Sequence, residues 1–237
     1  MVNHRLPARR IQATVIGTIC ALTLVSCSEN KPRQPQQRAS ATSVCDGAFD
    51  TQAAQALRSI SDATRFREIK LDSISGTFAQ LVQDLKAKAE DSDSDLGRDL
   101  CQFYAVGGKI DSPIQVNFDW VPADDGDPSP ASESSETATA YTFARYTKST
   151  DNYAWISFRC TRDRGNQNTS EPSYLTATVR TYPPESTDSA GSKSLREANI
   201  RLAYSASVKA AKKIGCLKES GLPKELEGLK ARPLATK

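Results

Sequence analysis

The stretch IQVNFDW, Ile114–Trp120, alternates apolar and polar side chains without a break. Ile114, Val116, Phe118 and Trp120 fall on one side, and Gln115, Asn117 and Asp119 on the other. Successive side chains of a strand point to opposite faces, so this pattern predicts a strand with one face buried. One buried face is the habit of antiparallel sheets. Four further strands are expected around it. Phe103–Val106 is short and apolar and follows Cys101. Tyr141–Thr147 and Tyr153–Cys160 read as a hairpin, with Lys148–Asn152 between them. In its second strand Ala154, Ile156, Phe158 and Cys160 share a face. Tyr153 and Trp155 lie on the other, either as a stacking platform for a sugar or other ligand or as rings covered by a helix. Tyr174–Tyr182 is the last strand, stopped by Pro183 and Pro184, which cannot donate to a ladder.

Helical spacing flanks these strands. Asp50 is placed to cap a helix carrying Ala53, Ala56, Leu57 and Ile60. A second helix is expected to start near Thr77, with Phe78, Leu81, Val82, Leu85 and Ala89 on one stripe, and to end near Asp91. The third is the longest: Ala198, Leu202, Ala206, Ala210 and Ile214 recur every four residues, and Gly215 is placed to end it. The expected fold is therefore α+β: a mainly antiparallel sheet of about five strands, packed by two N-terminal helices and one long C-terminal helix.

The N-terminus has a different character. His4, Arg5, Arg9 and Arg10 form a basic head, and Ile11–Ser26 is a mostly apolar run of sixteen residues without a charge. That order is the pattern of a secretory signal peptide, and the run is short of the roughly 20 residues a bilayer span needs. Ser28–Ser43 is polar, with Pro32, Pro35, Gln34, Gln36 and Gln37, and reads as a tether that cannot bury enough surface to fold. At the junction, Leu24-Val25-Ser26-Cys27 resembles the lipobox of bacterial lipoproteins. The resemblance implies a diacylglycerol on the Cys27 sulfur and cleavage that leaves Cys27 first. The alternative is an ordinary signal peptide cut near Ser26. Stable anchoring takes more than one acyl chain.

With Cys20 discarded and Cys27 lipidated, Cys45, Cys101, Cys160 and Cys216 remain of six cysteines. An even number in an exported domain implies two disulfides, among three connectivities. The equal separations, 101 − 45 = 56 and 216 − 160 = 56, favour sequential pairing without deciding it. A four-thiolate zinc site would show close Cys-x-x-Cys pairs, which are absent from the sequence.

Charge and composition exclude several classes. The formal excess of +3 equals the three arginines of residues 1–26, which contain no acid. Residues 27–237 carry 28 bases and 28 acids, a balance that argues against nucleic acid as partner. The charges are segregated. Asp84–Glu136 holds thirteen acids and four bases, whereas Ser194 onward holds ten bases and four acids. The basic end reads either as a solvated helix and tail or as a patch for anionic lipid or wall polymers, with Lys209, Lys212 and Lys213 at its centre. His4 is the only histidine, so the mature part has no imidazole for catalysis or metal binding. Phosphate-cradling glycine loops are missing too. The run DSDSD, Asp91–Asp95, resembles the start of a calcium loop, but Leu96 and Gln102 stand where that loop needs Gly and Glu. No metal and no cofactor are expected.

The lipobox, the opening VCDGAFD (Val44–Asp50), the strand ending FRC at Cys160 and the helix ending KKIGC at Cys216 together look similar to small lipoproteins of high-GC Gram-positive bacteria of the Streptomyces type. That resemblance supplies no catalytic residues. The expected organisation is a signal peptide (1–26), a lipidated N-terminus and tether (27–44), one domain (45–222) with an acidic Pro/Ser insertion (122–139), and a basic tail (223–237). The expected role is a non-catalytic binding or accessory module on the extracytoplasmic face of the cell membrane, held through lipid on Cys27, with an envelope protein or polymer as partner. A structural envelope protein contacting anionic polymers or lipid, and a carboxylate-based hydrolase, are the alternatives.

Overall fold

The structure, a computed structural model, describes residues 38–71, 73–90, 97–122, 138–161, 173–182, 189–226 and 231–232. The signal segment, Cys27, the tether up to residue 37, the DSDSD run and residues 123–137 of the acidic insertion lie outside the described residues.

The fold is α+β, with a large antiparallel sheet and two disulfides. Its strands are β1 (Arg38–Ala39), β2 (Phe66–Ile69), β3 (Gly97–Ala105), β4 (Ile114–Pro122), β5 (Thr139–Tyr141), β6 (Tyr146–Ser149), β7 (Tyr153–Arg159), β8 (Ser173–Arg180) and β9 (Ala231–Arg232). The spatial order is β1-β2-β3-β4-β8-β7-β6-β5-β9, and every neighbouring pair is antiparallel. The helices are α1 (Val44–Gly47), α2 (Thr51–Ser61), α3 (Phe78–Glu90) and α4 (Ser189–Ile214).

The sheet is larger than the expected five strands, for three local reasons. β3 starts at Gly97, six residues before the expected Phe103, and its ladder shifts register between Asp99 and Cys101. Leu100 is the extra residue of that bulge, and an extra residue destroys the period-two pattern by which a strand is recognised. The expected strand Tyr141–Thr147 is two strands, β5 and β6, reversing through Thr142–Arg145. Ala144 takes a left-handed conformation there (φ 56°), in a turn without Gly or Pro. β1, β2 and β9 are short and near the sheet's edges, where pairing leaves little trace in side-chain pattern.

The domain also extends past its expected ends. Arg38 and Ala39 pair with Arg67 and Phe66, and Ala41 and Val44 are buried, so part of the expected tether belongs to the fold. At the other end Leu226 is buried, and β9 pairs with β5 inside the expected tail. Pro122 and Thr139, the expected ends of the acidic insertion, are the last residue of β4 and the first of β5.

All four helices serve one face of the sheet. Val116, Phe118 and Trp120 of β4, Ala154, Ile156 and Phe158 of β7, and Leu175, Ala177 and Val179 of β8 form one cluster with helix residues such as Leu57, Leu81, Leu85, Ile200 and Ala206. α4 lies against β6, β7 and β8, while α3 packs on β3 and α2 on α4. α4 is buried beyond the expected Ala198–Leu202–Ala206–Ala210 stripe, with Ile200, Ala203 and Ala211 also enclosed, because it serves both the sheet and α2. Gly215 (φ 100°) ends it as expected, and its N–H donates to the Ala211 carbonyl at 3.0 Å. Asp50 caps α2 through Oδ1, which accepts the Ala53 N–H at 2.8 Å.

The disulfides are Cys45–Cys101 and Cys160–Cys216, with Cα atoms 5.4 and 5.1 Å apart. The first ties α1 to β3. The second joins the residue after β7 to the end of α4. In α1, Cys45 (φ 57°), Asp46 (φ 53°) and Gly47 (φ 66°) are all left-handed, a run that costs about 1–2 kcal/mol for each non-glycine residue. Tertiary bonds hold it. The Cys45 N–H donates to Glu68 Oε1 at 2.6 Å, and the Asp46 carboxylate accepts the Phe78 N–H at 3.0 Å.

Candidate functional site

Between the first turn of α2, the middle of α4 and residues 223–226 lies a cleft of about 360 Å³. Asp50, Gln52, Arg201, Tyr204, Lys224 and Glu225 line it. Its walls are tied together. The Asp50 N–H donates to Ser205 Oγ at 2.8 Å, and that hydroxyl donates to the Ala48 carbonyl at 2.9 Å, which fixes the start of α2 on α4. The Tyr204 hydroxyl donates to the Pro223 carbonyl at 2.6 Å and so pins the third wall. Arg201 Nη1 donates to Gln52 Oε1 at 3.2 Å across the rim. Burial, reinforced by the negative charges of Asp50 and Glu225, pushes the Tyr204 phenol above its ordinary value and keeps it neutral.

The cleft thus offers two cations, Arg201 and Lys224, and two acids, Asp50 and Glu225, around a neutral phenol. Such a set can hold a small ligand carrying both signs of charge. A hydrolase would need two carboxylates disposed for acid and base work. Here Asp50 already serves as a helix cap.

The second face of the sheet has a separate character. On β7 the Tyr153 and Trp155 rings stack at 4.6 Å and 23°, and Tyr146 of β6 adds a third ring 6.0 Å from Trp155. Lys148 Nζ lies 5.0 Å from the Trp155 centroid, and the Arg145 guanidinium 3.9 Å from that of Tyr174. Tyr153 and Trp155 are only 8 % and 3 % exposed, so their faces are turned to one another and are not an open platform. Among the described residues no helix covers them either, because both rings lie outside the cluster that the helices cover. Tyr153 Oη, Trp155 Nε1, Ser157 Oγ, Thr176 Oγ1 and Asn117 Oδ1 are buried there with no hydrogen-bond partner among the described residues.

No family model matches the chain, and no curated protein or solved structure matches it.

Of the residues singled out in the sequence, the four disulfide cysteines are brought together in pairs. Glu219 stands beside Cys160 and Cys216, but those sulfurs are bonded to each other and the carboxylate accepts from the Thr161 N–H and hydroxyl, at 2.8 and 2.7 Å. The members of the basic trio differ in their contacts. Lys209 donates to the Asp46 carbonyl and sits 4.8 Å over the Phe78 ring, whereas Lys212 and Lys213 are exposed in the last turn of α4. Among the described residues no helix is long and apolar enough to cross a membrane. Apart from Asp50, whose sequence signal is that of a helix cap, the cleft residues carry no sequence signal. They come from three distant segments, and only the fold assembles them.

Proposed function

We propose that this chain is a lipid-anchored binding module on the extracytoplasmic face of the cell membrane, and that the cleft beside Tyr204 seats its ligand. The observation that carries the reading is the cleft itself. Its volume, about 360 Å³, falls within the usual range of small-molecule sites, roughly 300–1,000 Å³. Its charges of both signs suit a small zwitterion or the end of a peptide. The lipobox-like Leu24–Cys27 and the preceding apolar run support the anchor, and the two disulfides suit an oxidising compartment.

Two measurements test the two halves. The mass of the mature protein, before and after reduction, should show lipid on Cys27 and four further thiols released from two disulfides. An unmodified or absent Cys27 would overturn the anchor. For the cleft, small molecules and peptides from an envelope extract are passed over immobilised protein. A ligand retained by the native chain and released at least tenfold more readily by Arg201→Ala supports the reading. Equal retention by both would overturn it.

A further inference from the structure

The sheet begins at Arg38, the first residue of the outermost strand β1, and the side chains around that entry take no part in the cleft. β1 pairs with β2 so that Ala39 stands opposite Phe66 and Arg38 opposite Arg67. Phe66 is fully buried in the core that the helices cover. Arg38 and Arg67 therefore stand side by side on the other face of the sheet. The Arg65 carbonyl accepts the Val106 N–H at 2.9 Å, a continuation of the β2–β3 ladder that keeps Arg65 on the side of Arg67. Lys70 follows β2 directly, and all four basic residues are exposed.

Two apolar groups accompany these charges. Tyr104 of β3 stands opposite Arg67, whose guanidinium lies 5.3 Å over its ring. Leu71, the residue after Lys70, is 52 % exposed, more than any other large hydrophobic side chain among the described residues. The one acid within the run Arg65–Lys70 is Glu68. It alternates to the opposite face, where its carboxylate accepts the Cys45 N–H at 2.6 Å. Asp62 nearby is paired with Lys109 at 3.1 Å. Basic side chains attract anionic headgroups, while tyrosine and leucine settle into the boundary beneath them.

We propose that this edge of the sheet, with Arg38, Arg65, Arg67, Lys70 and Leu71, docks the domain on the anionic phospholipid surface of the membrane that carries it. The membrane's nearness rests on the anchored reading above. From Cys27 to Arg38 is 38 − 27 = 11 residue steps, which reach at most about 40 Å, so lipid on Cys27 keeps this edge close to the bilayer. The attraction acts over a Debye length, about 8 Å at physiological salt, and orients a domain that the anchor has already delivered. The cleft shares none of these residues.

The test reads docking separately from anchoring. In the mature protein Cys27 carries lipid and the other four cysteines are in disulfides, so Leu71→Cys is the one thiol that takes an environment-sensitive NBD dye. On vesicles of mixed phosphatidylglycerol and phosphatidylcholine the dye should brighten severalfold and shift to the blue, relative to pure phosphatidylcholine. Arg65→Gln with Arg67→Gln, or salt at about 0.5 M, should remove the rise. Equal emission on the two kinds of vesicle would overturn the proposal. A rise from a dye at Lys213→Cys, with none from residue 71, would put the end of α4 on the membrane and overturn it too. Retention on immobilised polyphosphate, lost with the double substitution while the dye stays dim on vesicles, would assign the edge to an anionic polymer instead. Failure of the anchor looks different, because the protein then ignores neutral vesicles altogether. Co-sedimentation with the anionic vesicles in that case reports the edge alone. Binding weakened about thirtyfold by the double substitution, roughly fivefold per charge, supports docking, and no binding overturns it.

Discussion

Asn199, in the third turn of α4, accepts a hydrogen bond from the Thr181 hydroxyl just past β8, at 2.9 Å. Its amide also donates to the Thr150 and Asp151 carbonyls, at 3.1 and 3.0 Å, so one fully buried side chain ties the helix to the β6–β7 turn and to the end of β8. Nearby, Arg196 pairs with Asp151 at 2.8 Å.

Asn199→Ala should lower unfolding free energy by about 2 kcal/mol, since the Asp151 carbonyl loses its amide donor while the Thr150 carbonyl and the Thr181 hydroxyl keep only longer bonds, to Ser149 and Asn152. Asn199→Asp should cost as much, because a carboxylate cannot donate. Denaturant titration of both variants checks this. A loss below about 1 kcal/mol in either would show that the neighbouring groups find other partners.

Tyr141 is enclosed among the core residues, and burial, with the negative charge of Glu197, pushes its phenol up to about 12. In the unfolded chain it titrates near 10. A raised folded value means that the stabilising contribution is complete below about pH 10 and is lost as the pH rises toward 12. Phenolate absorbance should show a step near 12 that vanishes in Tyr141→Phe, while the Tyr204 phenol, also raised by burial, still ionises late in that variant. A step near 12 that survives the substitution would assign the Tyr141 shift elsewhere.

Asp84 sits between opposing effects. Burial raises its pKa, but hydrogen bonds from Ser75 (2.6 Å), Gln80 (2.8 Å) and Arg98 (3.2 Å), together with the Arg98 charge, outweigh it and hold the carboxyl below the usual range. Its contribution is therefore present above the usual carboxylate pKa and is lost as the pH falls through the folded value. Arg98→Ala should raise the Asp84 titration midpoint, read from the carboxyl carbon shift, and flatten the acid limb of the stability curve. An unchanged midpoint would show that Ser75 and Gln80 suffice.

Each disulfide closes a loop of the same size, with a sequence separation of 56. On the chain-entropy account, replacing either pair by alanine should cost about 4 kcal/mol. Guanidinium unfolding of Cys45→Ala/Cys101→Ala and of Cys160→Ala/Cys216→Ala compares them directly. Losses differing by more than about 2 kcal/mol would mean that native contacts, not loop closure, set the larger one.

Sequence reasoning succeeded where one residue pattern answers to one physical cause. IQVNFDW is strand β4 with its apolar side inward, Asp50 does cap α2, and Gly215 does end α4. It failed where local geometry breaks the pattern. The Leu100 bulge hid half of β3, and the turn at Ala144 gave no glycine or proline signal. FREI, Phe66–Ile69, buries only Phe66 fully, too little alternation to be read as β2. Tyr204 and Arg201 looked like ordinary residues of an amphipathic helix. Their place in a cleft depends on residues 223–226 folding back, which is a tertiary fact with no local trace.

The two cross-links never interlock: the first ring is complete at residue 101, well before the second begins at residue 160. Among these four thiols, chain order alone offers Cys45 its native partner Cys101 before either wrong one, and Cys160 then has Cys216 left. Order of appearance from the N-terminus is enough to select the native bonds out of the three possible sets of these four.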